Sequence, residues 1–237
     1  MKQLKLGDVT VDVVQKDIKN IHLSVYPPTG RVRISAPNHM DLETIRVFAI
    51  SKIGWIRKQQ DKIQGQEREA PREFLNRESH YYKGERYLLR VIEREAPPKV
   101  ELKHNVIELQ VRPDSTWEKK NEILNEWYRK QLKKEIPPII EKWERIMNVE
   151  VKEYGVKKMR TKWGTCNKDA GRIWVNLELA KKPVECLEYI IVHEMVHLFE
   201  RSHNQRFITL MDKFMPQWRS YRDELNRLPV SHEDWRY

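Results

Sequence analysis

The segment YIIVHEMVHLFERSH, residues 189–203, decides how the rest of this chain is read. His193-Glu194-Met195-Val196-His197 has the spacing H-E-x-x-H inside an apolar stretch that reads as helix. Residues i and i+4 share one helix face, so both imidazoles can point at a single cation. Glu194 projects about 100° round the axis from His193, where it reaches a water on that cation without ligating the ion. Ile190, Ile191 and Val192 before the motif, with Val196, Leu198 and Phe199 around it, form a dry wall that strengthens electrostatic interactions.

A catalytic zinc keeps three protein ligands and an open fourth position. His203, six residues beyond His197, is the expected third ligand. A helix that simply continued would carry residue 203 to the wrong side. The chain is therefore expected to turn after Glu200, with Ser202, His203 and Asn204 as turn and cap residues. Glu200, seven residues after His193, is the competing third ligand.

Upstream, RIWVNLEL (172–179) alternates as a strand, RTKWGTCNKDAG (160–171) reads as a loop, and EVKEYGVKKM (150–159) is strand-like. Pro183 suits the first turn of a helix running to Arg201, and shorter helices are expected over 204–214 and 216–227. From Thr116 to Met147 the pattern is helical, with a kink or break expected at Pro137-Pro138. Pro113-Asp114-Ser115 interrupts the pattern, so the boundary is placed there. Residues 1–112 form a β-rich subdomain with a helix, and 113–237 the metal-bearing half, for an α+β fold class.

In the first half, VTVDVVQ, IHLSVY and RVRISAP read as strands, with a turn at Pro27–Gly30. Asp41 caps a helical stretch to residue 64, and HYYKGERYLLRVIE and KVELKHNVIELQV follow as β-rich segments, the second with a turn at His104-Asn105. No internal repeat is visible.

The chain has 237 residues, 34% charged and 39% hydrophobic, and no apolar run of membrane-spanning length. Its start lacks a signal-peptide core, which makes the cytoplasm the expected location. Cys166 and Cys186 form no close pair and read as reduced thiols. The net charge of +10 is spread over both halves, 21 basic against 15 acidic residues in 1–112 and 24 against 20 in 113–237. One cluster stands out: Lys152, Lys157, Lys158, Arg160, Lys162, Lys168 and Arg172 face only Glu153 and Asp169, a composition that favours an anionic partner. His80, His104 and His232 read as surface residues, His22 and His39 have no partner in spacing, and Trp163 and Trp174 read first as core.

Taken together, MRTKWGTC (159–166), RIWVNLEL and IIVHEMVHLFERSHNQRF (190–207) resemble the YgjP-like metallopeptidase family, relatives of the SprT-like zincins. GRVRISAP, YKGERYLLRV and WYRKQLKKEIPPIIEKW are similar to family segments in the same order, so nearly the whole chain is covered. Thr165 stands where the family more often has Ser, and a hydroxyl is kept. The resemblance implies a small zincin-like domain over 113–237, with His193, His197 and His203 as ligands of zinc or another divalent metal and Glu194 as catalytic glutamate.

Three functions follow as expectations. The first is a metallopeptidase, with RIWVNLEL pairing to an extended peptide and Asn176 on that strand touching the substrate. The second is hydrolysis of a nucleotide phosphoanhydride, an activity the resemblance also implies, with Arg160 and Lys162 as phosphate donors and Trp163 as an aromatic face for a base. The third is a binding module with a structural metal and nucleic acid on its basic surface, without a membrane. Glu194 speaks against the third, because a structural site has no use for a carboxylate beside its water.

Overall fold

The computed structural model describes residues 2–26, 29–65, 72–159 and 162–228. It divides into two compact units, the first reaching Pro71 and the second spanning Arg72–Leu228. In the first, β1 (Lys2–Leu6), β2 (Val9–Lys16), β3 (His22–Tyr26) and β4 (Arg31–Pro37) lie in the order β1-β2-β4-β3, with β2 and β4 parallel at the centre. Alternation sends Val9, Val11 and Val13 of β2 and Val32, Ile34 and Ala36 of β4 to one buried face. Ile45 and Ala49 of α1 (Leu42–Ser51) and Ile56 of α2 (Ile53–Gln64) complete that core. Asp41 caps α1 by accepting the Thr44 N–H at 2.7 Å, but the expected single helix is two, parted at Lys52. Of the expected Pro27–Gly30 turn, Pro27 and Pro28 lie outside the described residues.

The second unit opens with the same topology. Strands β5 (Ser79–Tyr82), β6 (Glu85–Glu93), β7 (Lys99–Lys103) and β8 (Val106–Val111) run β5-β6-β8-β7, again with two antiparallel pairs flanking a parallel one. Even the charged pair recurs with its signs exchanged: Asp12 stands opposite Arg33, and Arg90 opposite Glu108. The two sheets share alternation and turn placement rather than residue identities, which is why the sequence shows no repeat.

This second sheet is not a separate layer from the helices and strands that follow it. Leu89, Ile107, Leu109 and Val111 share one buried core with Leu124, Tyr128 and Leu132 of α3 (Trp117–Met147). The boundary expected at residue 113 therefore moves to 71/72, because α3 buries its apolar stripe against the sheet that precedes it. Of the kink or break expected at Pro137-Pro138 the break does not occur: α3 is one helix of 31 residues that runs through both prolines. Pro137 has no N–H for Lys133, and the Tyr154 hydroxyl reaches that carbonyl instead, at 3.5 Å.

β9 (Glu153–Lys157), β10 (Gly164–Asn167) and β11 (Arg172–Asn176) form a third sheet in the order β10-β11-β9. A 3-10 turn (Leu177–Lys181), α4 (Val184–Val196), α5 (Gln205–Phe214) and α6 (Trp218–Arg227) complete an α+β fold with three mixed sheets. No described helix is long and apolar enough to cross a membrane.

His22, His39 and His104 are exposed, and His232 lies outside the described residues. His80 corrects its reading as a surface residue: β5 turns it inward beside Tyr82, fully buried, with Nε2 donating to Glu78 Oε1 at 2.7 Å. Burial pushes its pKa from 6.5 down to about 4. The folded chain thus resists a proton that the unfolded chain accepts, so this contribution is complete above pH 6.5 and lost as pH falls toward 4. Denaturant titration between pH 7 and pH 4 is expected to lose up to about 3 kcal/mol on this account, and His80→Gln is expected to flatten the slope. A variant with the wild-type slope would assign the loss to other groups.

Candidate metal centre

α4 is apolar nearly all round, and Leu187, Ile190, Ile191, Val192, Met195 and Val196 are buried among α3, α5, α6, β10 and β11. A helix clamped on every side gives the His193 and His197 rings little freedom. The helix ends at Val196, sooner than expected, and a turn over 197–199 swings the chain round. Asn204 then caps α5 by accepting the Phe207 N–H at 3.1 Å, which fixes His203 at the junction.

That turn brings His193, His197 and His203 together, with one donor nitrogen from each lying within 4.8 Å of the others. The Nε2 atoms of His193 and His203 stand 3.0 Å apart. Two imidazoles on a tetrahedral zinc, with bonds of about 2.0–2.1 Å, place their nitrogens about 3.3 Å apart, so the pair fits a shared ion. His197 Nδ1 lies 2.9 Å from the Glu200 carbonyl and donates to it, leaving Nε2 as a bare lone pair. Burial first, then the neighbouring histidines, pushes His193 down to about 3, and burial lowers His197 as well. Both rings stay neutral, the form that ligates. Glu200, the competing ligand, turns its carboxylate to the Ser202 N–H at 3.1 Å and stands outside the cluster.

Glu194 is 5% exposed and lies against β10. Burial raises its carboxyl to about 8, against the opposing charge of Lys162. The contact with β10 requires glycine: a Cβ on Gly164 would stand 2.6 Å from Glu194 Oε1 and 2.8 Å from its Cγ. Gly164→Ala is therefore expected to push the carboxylate aside and cut kcat/KM by about a hundredfold with metal content unchanged, since displacements near 1 Å cost that much. Wild-type turnover in this variant, measured at matched metal content, would refute the contact's importance.

The site departs from the sequence reading in several places. β10 lies in the segment expected as loop, and it is an edge strand of its sheet. RIWVNLEL cannot pair with a peptide, because β11 has β10 on one side and β9 on the other. Asn176, expected at the substrate, is buried, and its amide makes four hydrogen bonds, from the Met159 and Glu178 N–H groups and to the Met159 and Lys162 carbonyls. It holds the loop before β10. Arg160 lies outside the described residues. Trp163 is partly buried and packs on the core.

Three cations of the basic cluster have partners of their own. Lys157 lies over the Trp174 ring, Arg172 pairs with Glu153 at 3.3 Å, and Lys168 Nζ donates to the Phe199 carbonyl at 3.2 Å. Lys162 is exposed, and its charge reaches Glu194. Cys166 and Cys186 are free thiols, pushed up to about 11 and about 12 by burial.

A family model described as YgjP-like, metallopeptidase domain, matches residues 19–228, which include the three histidines and Glu194. No curated protein matches the chain. Among solved structures, the chain is similar to the metallopeptidase zymogen abylysin of Pyrococcus abyssi, at 17% identity and a TM-score of 0.35, over 37% of this chain and 89% of that one.

Proposed function

The chain belongs to the YgjP-like metallopeptidase family, and from that premise we propose that it hydrolyses peptide bonds with a divalent cation, zinc, held by His193, His197 and His203. The observation that carries this reading is the convergence of three imidazoles beside a buried carboxylate that is not one of them. Three neutral nitrogen donors leave the cation its full charge, and imidazole suits zinc among the common divalent ions. When bound, the cation supplies Lewis acidity to water and to the substrate carbonyl.

The protein's own groups do the rest. The Glu194 carboxylate accepts the proton of the attacking water and returns it to the leaving amine. Gly164 leaves room for that carboxylate on one side, and apolar α4 keeps bulk water from the other. An extended peptide adds to the outer edge of β10, whose inner edge is taken by β11. Its scissile bond then passes in front of Glu194, with Lys162 at hand for the oxygen that gains charge.

The test is a substrate panel on zinc-loaded protein: unfolded protein chains in one arm, nucleoside triphosphates in the other, with Glu194→Gln as control. Proteolysis that disappears in the variant is expected. Pyrophosphate release without proteolysis, also lost in the variant, would replace this reading with the phosphoanhydride one.

A further inference from the structure

Ligand imidazoles are ordinarily held in place by a hydrogen bond from the ring nitrogen that does not face the metal. Here His197 has such a bond, to the Glu200 carbonyl. His193 does not: its Nδ1 is buried and meets no hydrogen-bond partner among the described residues. Its ring is bounded by other rings, with Tyr189 edge-on at 5.9 Å and Phe207 at 4.9 Å. The same Phe207 lies 4.7 Å from the His197 ring and 4.7 Å from the His203 ring, at interplanar angles of 35° and 71°. No other side chain has a ring contact with all three histidines among the described residues.

We propose that Phe207 is the positioning residue of the metal centre, a single ring on the first turn of α5 against which all three imidazoles rest. Phe207 is 2% exposed, so its ring is packed on every side and cannot swing away. Its backbone is tied in turn to the ligand loop, because the Asn204 side chain that caps α5 accepts the Phe207 N–H. His203 is the residue before Asn204, so one short stretch carries both a ligand and the support for all of them. An aliphatic side chain would fill the volume but offer no flat face, leaving His193 free to turn about its Cβ–Cγ bond.

This inference rests on the three-imidazole reading above and is tested separately from it. Phe207→Leu and Phe207→Met are compared with Met211→Ala, which opens a cavity one turn further along the same helix at a fully buried position. The readouts are zinc affinity by competition with a chromophoric chelator, the visible spectrum of the cobalt-substituted protein, and the melting temperature without metal. The Phe207 variants are expected to lose zinc affinity about tenfold to a hundredfold and to shift the cobalt bands, the range for residues that orient metal ligands. Met211→Ala is expected to melt as low or lower yet keep wild-type affinity and spectrum.

Wild-type affinity in a folded Phe207 variant would overturn the proposal. So would an equal loss of affinity in Met211→Ala, or failure of both Phe207 variants to fold without metal, since Phe207 would then be a core residue only. A wild-type protein that binds no zinc would instead bring down the metal reading itself.

Discussion

Glu194→Gln is expected to abolish hydrolysis while leaving the metal bound. The carboxylate is buried beside the histidine cluster and outside it, so the substitution removes a proton acceptor and no ligand. A general base contributes about 10²–10⁴-fold, and a fall in kcat/KM of about a thousandfold at unchanged metal content is the expected result. The same variant carries a second signature that does not depend on activity. Without metal, the folded chain holds the Glu194 proton up to about pH 8, whereas an unfolded chain releases it near 4.5. The group's favourable contribution is therefore complete below pH 4.5 and lost as pH rises toward 8. Glutamine cannot ionise, so the metal-free variant is expected to be more stable than wild type at pH 7, by up to about 3 kcal/mol, and equal to it below pH 4.5. Melting curves at the two pH values check this. Residual turnover near the wild-type rate would remove Glu194 from the chemistry.

His203→Ala is expected to have the second large effect. Two imidazoles on one helix face remain in that variant, and a pair of ligands does not retain zinc through gel filtration against a chelator. Metal content is expected to fall from one equivalent to nearly none, with hydrolysis falling alongside. Glu200→Ala is the paired experiment. Its carboxylate turns to the Ser202 N–H and stands outside the histidine cluster, so its loss is expected to leave metal content unchanged. Full metal content in His203→Ala together with loss in Glu200→Ala would exchange the two assignments.

What the sequence reveals depends on how local each feature is. The H-E-x-x-H pair is legible because i, i+4 geometry is a property of any helix, and the bend before His203 is legible because Asn204 is a strong capping residue. Gly164 is not legible in this way. GTCN lacks the alternation of a strand and becomes one only through pairing with β11, so a glycine chosen for its closeness to Glu194 looks like an ordinary loop residue.

The domain boundary failed for a related reason. Pro113-Asp114-Ser115 is a real break, but it is the short link between β8 and α3, and only the shared core of Leu109 and Leu124 shows that both sides belong together. Three cations of the basic cluster, Lys157, Arg172 and Lys168, turn in space to Trp174, Glu153 and the Phe199 carbonyl, interactions that no spacing rule anticipates.

The central claim is that one cation sits among three imidazoles and no other protein group. It is tested most directly by anomalous diffraction at the zinc edge, on crystals of the zinc-loaded protein. One peak is expected, about 2.1 Å from a nitrogen of each of His193, His197 and His203, with the remaining coordination open to solvent. A peak elsewhere, rings turned away from one another, or a fourth side chain closing the ion would contradict the account.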